Sequence, residues 1–418
     1  MIAEIVAVGT ELLMGQVLNT DAQFIARRLS EAGITLHRQI VVGDNPERIR
    51  QAVRDAIARA DIVITTGGLG PTADDITKQA CAQALGLAME RRPEAEAMVR
   101  AWFAKNGREM TENNLRQADF AKGARILPNA NGTAPACIVE KDGKAVVNLP
   151  GPPNELTGIF DSSVMPYLAE RSGAVIVSRY LRIFGMGESS VASRLQDLME
   201  TCENPSVAPY CSTGEVQLRL TARCKTREEA DALLDPLERE IRARLGNVIY
   251  AVTQDSQFHM EHALVCALRQ SGKTLSTAES CTGGMISSRI VNVAGASDVF
   301  LQGFVTYANE AKVRALGVRE ETLAAYGAVS RETALEMAEG ARRAAGTDFA
   351  VSVTGVAGPG GGTPEKPVGL VWLGLASQAG AWAKALHLTG SRERIRTLAA
   401  LHAMHWVLEA CREENAGE

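Results

Sequence analysis

The chain has 418 residues, 46% of them hydrophobic, with a mean hydropathy of −0.04, a formal net charge of −5 and a pI near 5.8. Its length implies two or three domains of about 100–200 residues each, and its apolar content supplies ordinary cores and excludes a disordered chain. The acidic balance argues against nucleic acid or an anionic membrane as the main partner.

The eight cysteines (Cys81, Cys137, Cys202, Cys211, Cys224, Cys266, Cys281 and Cys411) contain no Cys-x-x-Cys pair. That excludes the usual zinc spacings and a disulfide framework, so a reducing cytoplasm is the expected setting. The pairs His259/His262 and His402/His405 sit three apart on helical patterns and read as surface or packing residues. Met1 leads straight into a strand-like run, so no leader is expected, and no apolar run is long enough to span a bilayer.

From the start of the chain, Ala3–Val8, Thr35–Val42 and Asp61–Thr66 read as strands, and Thr20–Glu31 and Pro46–Ala60 as amphipathic helices. This βαβαβ rhythm predicts a mostly parallel, doubly wound sheet with ligands at the carboxyl ends of its strands. Two turns at that edge stand out. One runs from Gly9, Thr10 and Glu11 to Gly15, and the other holds Gly67, Gly68, Gly70, Thr72, Asp74 and Asp75. The glycines let the backbone approach an anion, and a helix expected from about Asp75 offers it free N–H groups. Asp74 and Asp75 suit a hard divalent cation. Equally, they suit an N-cap and a first-turn carboxylate.

Further on, Pro93–Asn106 and Glu112–Gln117 read as helices, and Cys137–Lys141 and Lys144–Asn148 as a hairpin over Asp142-Gly143. The run from Leu149 through Gly151 and Pro152 opens a helix with proline in its first turn. In the middle segment, Val175–Phe184, Glu215–Cys224 and Val248–Val252 read as strands. Gly185-Met186-Gly187 opens a helix through about Met199, and Arg227–Leu245 is a long helix. The glycine turn is like that of KH modules, but no dense basic patch accompanies it, so a linker or dimerisation role is expected.

The C-terminal third is built around Thr277-Ala278-Glu279-Ser280-Cys281-Thr282-Gly283-Gly284, between a strand-like run and the helical pattern Met285–Val291. A hydroxyl at such a turn is either an N-cap or a nucleophile facing the free amides of the helix mouth. Phe304–Tyr307 reads as a strand, and Asn309 as the cap of a helix carrying Lys312 in its first turn. The helix dipole disfavours positive charge there and, with any burial, would lower the amine's pKa; from position alone a solvated surface lysine reads equally well. Phe349–Val353 runs into a glycine loop containing Thr354, Gly355, Gly358, Gly360 and Gly361, suited to wrap a phosphate or to act as a lid. Ser391–Arg396 opens the last helix and can aim Arg394 at an anion, ahead of a polar tail at Glu413–Glu418.

These motifs, in content and spacing, resemble the CinA family over essentially the whole chain. The first two glycine turns, Asn129-x-x-Gly132-Thr133-Ala134-Pro135 and Leu149-Pro150-Gly151-Pro152-Pro153-x-Glu155 are similar to its N-terminal domain. That domain is related to molybdopterin-binding domains and associated with metal-dependent hydrolysis of the ADP-ribose pyrophosphate bond. The resemblance implies nucleotide binding by Gly9, Thr10, Glu11, Gly67, Gly68, Gly70, Thr72, Gly151 and Pro152. It also implies a divalent cation such as Mg2+ on Asp74, Asp75 and Glu11. Two positions depart from the family pattern: Ala136-Cys137 follows Ala-Pro where glycine is usual, and Asp21 stands where asparagine is usual.

The Ser280, Lys312 and Thr354 blocks are similar to the family's C-terminal domain, a nicotinamide-mononucleotide amidase that needs no cofactor. The implied roles are Ser280 as nucleophile, Lys312 as its base and Tyr307 as proton or oxyanion partner. Substrate would be held by Cys281, Thr282, Gly283, Gly284, Thr354, Gly355, Gly358, Gly360, Gly361 and Arg394. No histidine lies in these blocks, so a Ser-Lys pair fits better than a Ser-His-Asp triad. The expected architecture is an α/β, doubly wound molybdopterin-binding-like domain (1–172), a small KH-like α+β connector (173–254) and an α/β amidase domain (255–418). The expected partners are small nucleotides, nicotinamide mononucleotide and ADP-ribose, and a second copy in a homodimer. Two other readings stay open: an N-terminal cleft that only binds a nucleotide or pterin, and a non-enzymatic competence or DNA-damage partner.

Overall fold

The computed structural model describes residues 1–173 and 175–417. It divides into two compact units, Met1–Ser178 with Thr221–Leu233, and Arg179–Leu220 with Leu234–Glu418.

In the first unit the strands are β1 (Ile2–Val8), β2 (Thr35–Val42), β3 (Ile62–Thr66), β4 (Met89–Arg91), β5 (Asp119–Ala121), β6 (Arg125–Leu127), β7 (Ala136–Lys141) and β8 (Lys144–Leu149). The helices are α1 (Thr10–Leu13), α2 (Thr20–Glu31), α3 (Pro46–Arg59), α4 (Thr77–Ala84), α5 (Pro93–Lys105), α6 (Pro153–Ile159) and α7 (Met165–Ser172). The main sheet has the order β2-β1-β3-β8-β7-β6, and β4 pairs with β5 separately. β1, β2, β3 and β8 are parallel, as the βαβ rhythm requires. The β7–β8 hairpin turns at Asp142 (φ 51°) and Gly143 (φ 74°), two left-handed residues that match the strand twist.

Because side chains alternate along a strand, β1 sends Ala3 and Ile5 into one core with Ile25 and Leu29 of α2. Val6 and Val8 go into another core with Ile49 and Val53 of α3. Helices thus cover both faces, and the sheet is doubly wound. Glu4 is buried in β1 and is tolerated there because Arg59 grips it bidentately, at 2.9 and 2.8 Å.

The middle segment supplies β9 (Val175–Phe184), α8 (Glu188–Thr201), β10 (Ser206–Ser212), β11 (Glu215–Cys224), α9 (Arg227–Leu245) and β12 (Ile249–Thr253). Its four-stranded sheet, β10-β11-β9-β12, contributes to both units.

The rest of the second unit comprises α10 (Met260–Ser271), β13 (Leu275–Glu279), α11 (Met285–Val291), β14 (Phe300–Val305), α12 (Asn309–Leu316), α13 (Glu320–Tyr326), α14 (Arg331–Ala345), β15 (Phe349–Gly355), β16 (Leu370–Ser377), β17 (Gly380–His387) and α15 (Arg392–Gly417). The sheet order is β14-β13-β15-β16-β17. β13 runs parallel to β14 on one side and to β15 on the other, with β16 and β17 antiparallel. From β13 the chain steps to β14 on one flank and later returns to β15 on the other. Such a topological switch, here at the carboxyl end of β13, is where open α/β sheets place their ligands. One face packs on α10, α11 and α15 through Leu264, Ile286 and Leu401, and the other on α12 and α14 through Leu316 and Met337.

The helix expected at 112–117 is present as a 3-10 helix, Glu112–Ala118. Two expectations are corrected. The helix after the second glycine turn begins at Thr77, not Asp75, because Asp74 and Asp75 fold back onto Thr72. The final helix runs through Gly417, so most of the expected polar tail is helical; Glu418 lies outside the described residues.

Candidate active site

Ser280 is the first residue beyond β13, at the switch point. Its amide donates to the Val353 carbonyl of β15 at 2.9 Å, and the Thr306 amide beyond β14 donates to the Glu279 carbonyl at 2.9 Å. The ends of three adjacent parallel strands are thereby stitched together, with Ser280 at their centre.

Lys312 reaches this point from the first turn of α12 and is fully buried. Its Nζ lies 3.1 Å from Ser280 Oγ, 2.8 Å from the Thr306 carbonyl and 3.2 Å from the Tyr307 carbonyl. An ammonium can donate to all three oxygens. A neutral amine has two hydrogens and one lone pair. The carbonyls can only accept, so they take the two hydrogens and the lone pair is left for the Ser280 hydroxyl proton. Burial, the dominant cause, pulls the Lys312 pKa below the usual lysine value, while Cys281 and Glu310 oppose that shift.

The turn Ser280–Gly283 is closed by the Gly283 amide donating to the Ser280 carbonyl at 3.2 Å. Gly283 (φ 61°) and Gly284 (φ 91°) both occupy the left-handed region that suits glycine. Neither Ser280 nor Thr282 caps α11, whose N-cap is Gly284. The first amides of α11 do not point outward either, contrary to expectation. The fully buried Glu279 carboxylate takes them, accepting from Ile286 N at 3.0 Å, Ser287 N at 2.9 Å and Ser287 Oγ at 2.7 Å. The Thr282 and Gly284 amides find no acceptor among the described residues, and the buried Thr282 hydroxyl is likewise unpartnered. The amides left for a developing oxyanion therefore lie in the turn, not in the helix.

In the first unit, a cleft of about 510 Å³ opens at the carboxyl ends of β1, β3 and β8. Gly9, Glu11, Gly67, Gly68, Gly70, Asp74, Asp75, Gly151 and Pro152 all line it. Gly67 (φ 86°) is compelled by packing, since a Cβ there would stand 2.2 Å from the Val8 carbonyl oxygen. Thr10 holds Asp44 through its amide and hydroxyl, at 2.9 and 2.8 Å. Thr72 Oγ1 lies 2.5 Å from both Asp74 Oδ1 and Asp75 Oδ2. The Thr72 amide also donates to Asp75 Oδ2 at 2.8 Å, so both carboxylates are gathered onto Thr72. The Thr72 hydrogen bond also holds the Asp74 carboxyl below its usual pKa. Among the described residues there is no group of three or more His, Cys, Asp or Glu able to hold a metal, so Glu11 does not join this pair.

The family models match residues 4–170 as "Probable molybdopterin binding domain", 178–251 as "Damage-inducible protein CinA KH domain" and 257–411 as "CinA C-terminal domain". A CinA-like protein of Kosmotoga olearia is 50% identical over 410 residues, 98% of this chain and 99% of its own length. The chain belongs to the CinA family. Among solved structures, a competence/damage inducible protein from Agrobacterium tumefaciens is 43% identical over 38% of this chain and 99% of its own, with a TM-score of 0.36. A CinA superfamily protein from Klebsiella pneumoniae is 34% identical over 37% of this chain and 96% of its own, with a TM-score of 0.36.

Within this CinA chain the remaining expected residues are placed unevenly. Tyr307 meets Lys312 only through its carbonyl, and its side chain is 66% exposed. Ala308, not Asn309, is the N-cap of α12. The Thr354 hydroxyl is committed to the Ala328 carbonyl at 2.7 Å, so it braces a neighbouring turn. Gly355 packs tightly on Val371, whereas Gly360 and Gly361 stand in open space. Gly358 is tied to the last helix by Arg392 Nη1, 2.7 Å from its carbonyl. Arg394 is exposed, and its guanidinium has no partner among the described residues. Glu279, inside the motif, and Arg396, which holds the Cys281 and Thr282 carbonyls at 3.1 and 2.7 Å, were not singled out from the sequence. The buried carboxylate was visible in the sequence, but its role depends on a helix six residues on. Arg396 lies 115 residues from Cys281, with no local signal.

No helix among the described residues is long and apolar enough to cross a membrane.

Proposed function

We propose that this CinA protein hydrolyses the carboxamide of nicotinamide mononucleotide to nicotinate mononucleotide and ammonia. The observation that carries the reading is the buried Lys312 Nζ, 3.1 Å from Ser280 Oγ, with its other hydrogens directed at two carbonyls. Neutral Lys312 takes the Ser280 proton as Oγ bonds to the carboxamide carbon, and the carbonyl electrons move onto oxygen. The tetrahedral oxyanion is stabilised by free amides of the Ser280–Gly284 turn. As the oxyanion collapses, the C–N bond breaks and the Lys312 proton leaves with the nitrogen as ammonia. Water then attacks the ester carbon as Lys312 accepts its proton; the C–Oγ bond breaks, Lys312 returns that proton to Ser280 Oγ, and the acid product ionises and departs as the carboxylate. Exposed Arg394 is a ready phosphate contact. Full-length protein should release ammonia from nicotinamide mononucleotide, and Ser280→Ala should abolish release while retaining nucleotide binding; unimpaired release by that variant refutes the assignment.

We further propose that the N-terminal cleft cleaves the pyrophosphate of ADP-ribose with a divalent cation. Two carboxylates converging on one hydroxyl fit the magnesium mode, in which one or two carboxylates are completed by substrate phosphate oxygens. Asp74 and Asp75 would hold the ion, which offsets phosphate charge and acidifies a bound water. Gly67, Gly68 and Gly151 line the cleft in which the diphosphate would lie. Chelation should stop ADP-ribose cleavage and leave ammonia release intact; equal loss of both counts against two separate sites. The protein is expected to work in the cytoplasm as a homodimer.

A further inference from the structure

One guanidinium organises the turn that carries Ser280. Arg396 of α15 donates from Nε to the Cys281 carbonyl at 3.1 Å and from Nη2 to the Thr282 carbonyl at 2.7 Å. The preceding residue, Ile395, is buried in the core. The turn approaches closely, because a Cβ on Gly283 would stand 3.4 Å from Arg396 Nη2.

In a trans peptide the N–H points opposite to the C=O. Each carbonyl that Arg396 takes therefore turns the N–H of the same peptide away from the guanidinium. For the Thr282–Gly283 peptide, that N–H is on the Ser280 carbonyl at 3.2 Å, so the far side of the turn is the Ser280 side. For the Cys281–Thr282 peptide, the N–H is directed to the same side and finds no acceptor among the described residues. An orphaned amide beside the nucleophile, with its orientation locked from behind, is what a preorganised oxyanion donor requires.

We infer that Arg396 is a positioning residue. It holds the Cys281–Thr282 peptide so that the Thr282 amide meets the oxyanion formed when Ser280 attacks its substrate. This rests on the reading of Ser280 as a nucleophile. Arg394, two residues earlier, is exposed and takes no part in the turn. Lysine at this position keeps the charge but loses the rigid planar fork whose Nε and Nη2 fix the orientation of both peptides together.

The test uses the full chain as wild type, Arg396→Lys, Arg396→Ala and Ser280→Ala, with melting curves to confirm folding. Two rates are read: ammonia release from nicotinamide mononucleotide, and covalent labelling by a fluorophosphonate probe, whose capture by serine needs the same oxyanion donors whatever the natural substrate. The expected result is a fall in kcat of about 10²-fold, the size of one lost oxyanion donor, with KM within twofold. Labelling should slow in parallel, and added methylguanidinium should partly restore Arg396→Ala. A raised KM at unchanged kcat, or equal labelling rates, overturns the role of Arg396. If wild type labels at Ser280 but releases no ammonia, the substrate assignment fails and the labelling rates still decide Arg396. If wild type does not label, the serine reading fails and the inference falls with it.

Discussion

Lys312 Nζ stands 3.1 Å from Ser280 Oγ and is held there by the carbonyls of Thr306 and Tyr307. The two carbonyls fix where the amine lone pair points once the lysine is neutral. Removing the amine removes the base, so Lys312→Met should reduce ammonia release by about 10²–10⁴-fold, the usual worth of a general base. Because Met fills similar volume without a charge, its melting temperature should not fall below wild type at neutral pH. Steady-state kinetics and calorimetry check both statements.

The pH dependence follows from the same burial. The Lys312 pKa is lowered, so kcat should rise with pH through that lowered value, with the limb absent in residual activity of Lys312→Met. For stability, the native state binds fewer protons than the unfolded state between the lowered pKa and the ordinary lysine value. Stability from this group is therefore complete above the unfolded pKa and is lost as pH falls through the folded one. Chemical denaturation at several pH values should show the slope in wild type and a shallower one in Lys312→Met.

Asp21 has the opposite sign. Burial pushes its carboxyl up to about 6 in the N-terminal cleft, so the native state binds more protons than the unfolded one between pH 3.8 and about 6. Stability therefore falls as pH rises through that window. Asp21→Asn should raise stability at pH 8 by about 1 kcal/mol after discounting for solvent screening, and should change little at pH 4. Equal gains at both pH values would contradict the account.

Glu279 is a structural keystone. Glu279→Ala leaves the Ile286 and Ser287 amides without their acceptor, while the Ser287 hydroxyl keeps Thr277 Oγ1 at 2.8 Å. Unsatisfied buried donors cost about 1–3 kcal/mol each, so the variant should lose at least about 2 kcal/mol in denaturant titration. A loss below 1 kcal/mol would mean that α11 finds another cap.

Asp74→Asn breaks the carboxylate pair on Thr72 and should cut metal-dependent ADP-ribose cleavage by at least about tenfold while ammonia release is unchanged. Coupled assays on one preparation decide it.

Much of this was legible because strand ends carry the motifs. The order βαβαβ predicted the doubly wound N-terminal sheet, and Ser280, Lys312 and the 354–361 loop follow the three strands that meet at the C-terminal switch point. Asp142-Gly143 named its own hairpin. What escaped was set by long-range contacts. The α11 amides read as free until the fold brings Glu279 under them, and Arg396 acts on residues 114 and 115 positions away. The helix start slipped from Asp75 to Thr77 because two aspartates prefer the Thr72 hydroxyl to capping a helix. The strand Ser206–Ser212, with Pro209 inside it, carries too weak a pattern to stand out alone.

The most direct measurement is intact-protein mass spectrometry after rapid acid quench of the full chain with nicotinamide mononucleotide. The account predicts a transient ester on Ser280, formed with release of one ammonia per chain and absent from Ser280→Ala. Turnover with no covalent adduct at any quench time, or an adduct on another residue, would contradict it.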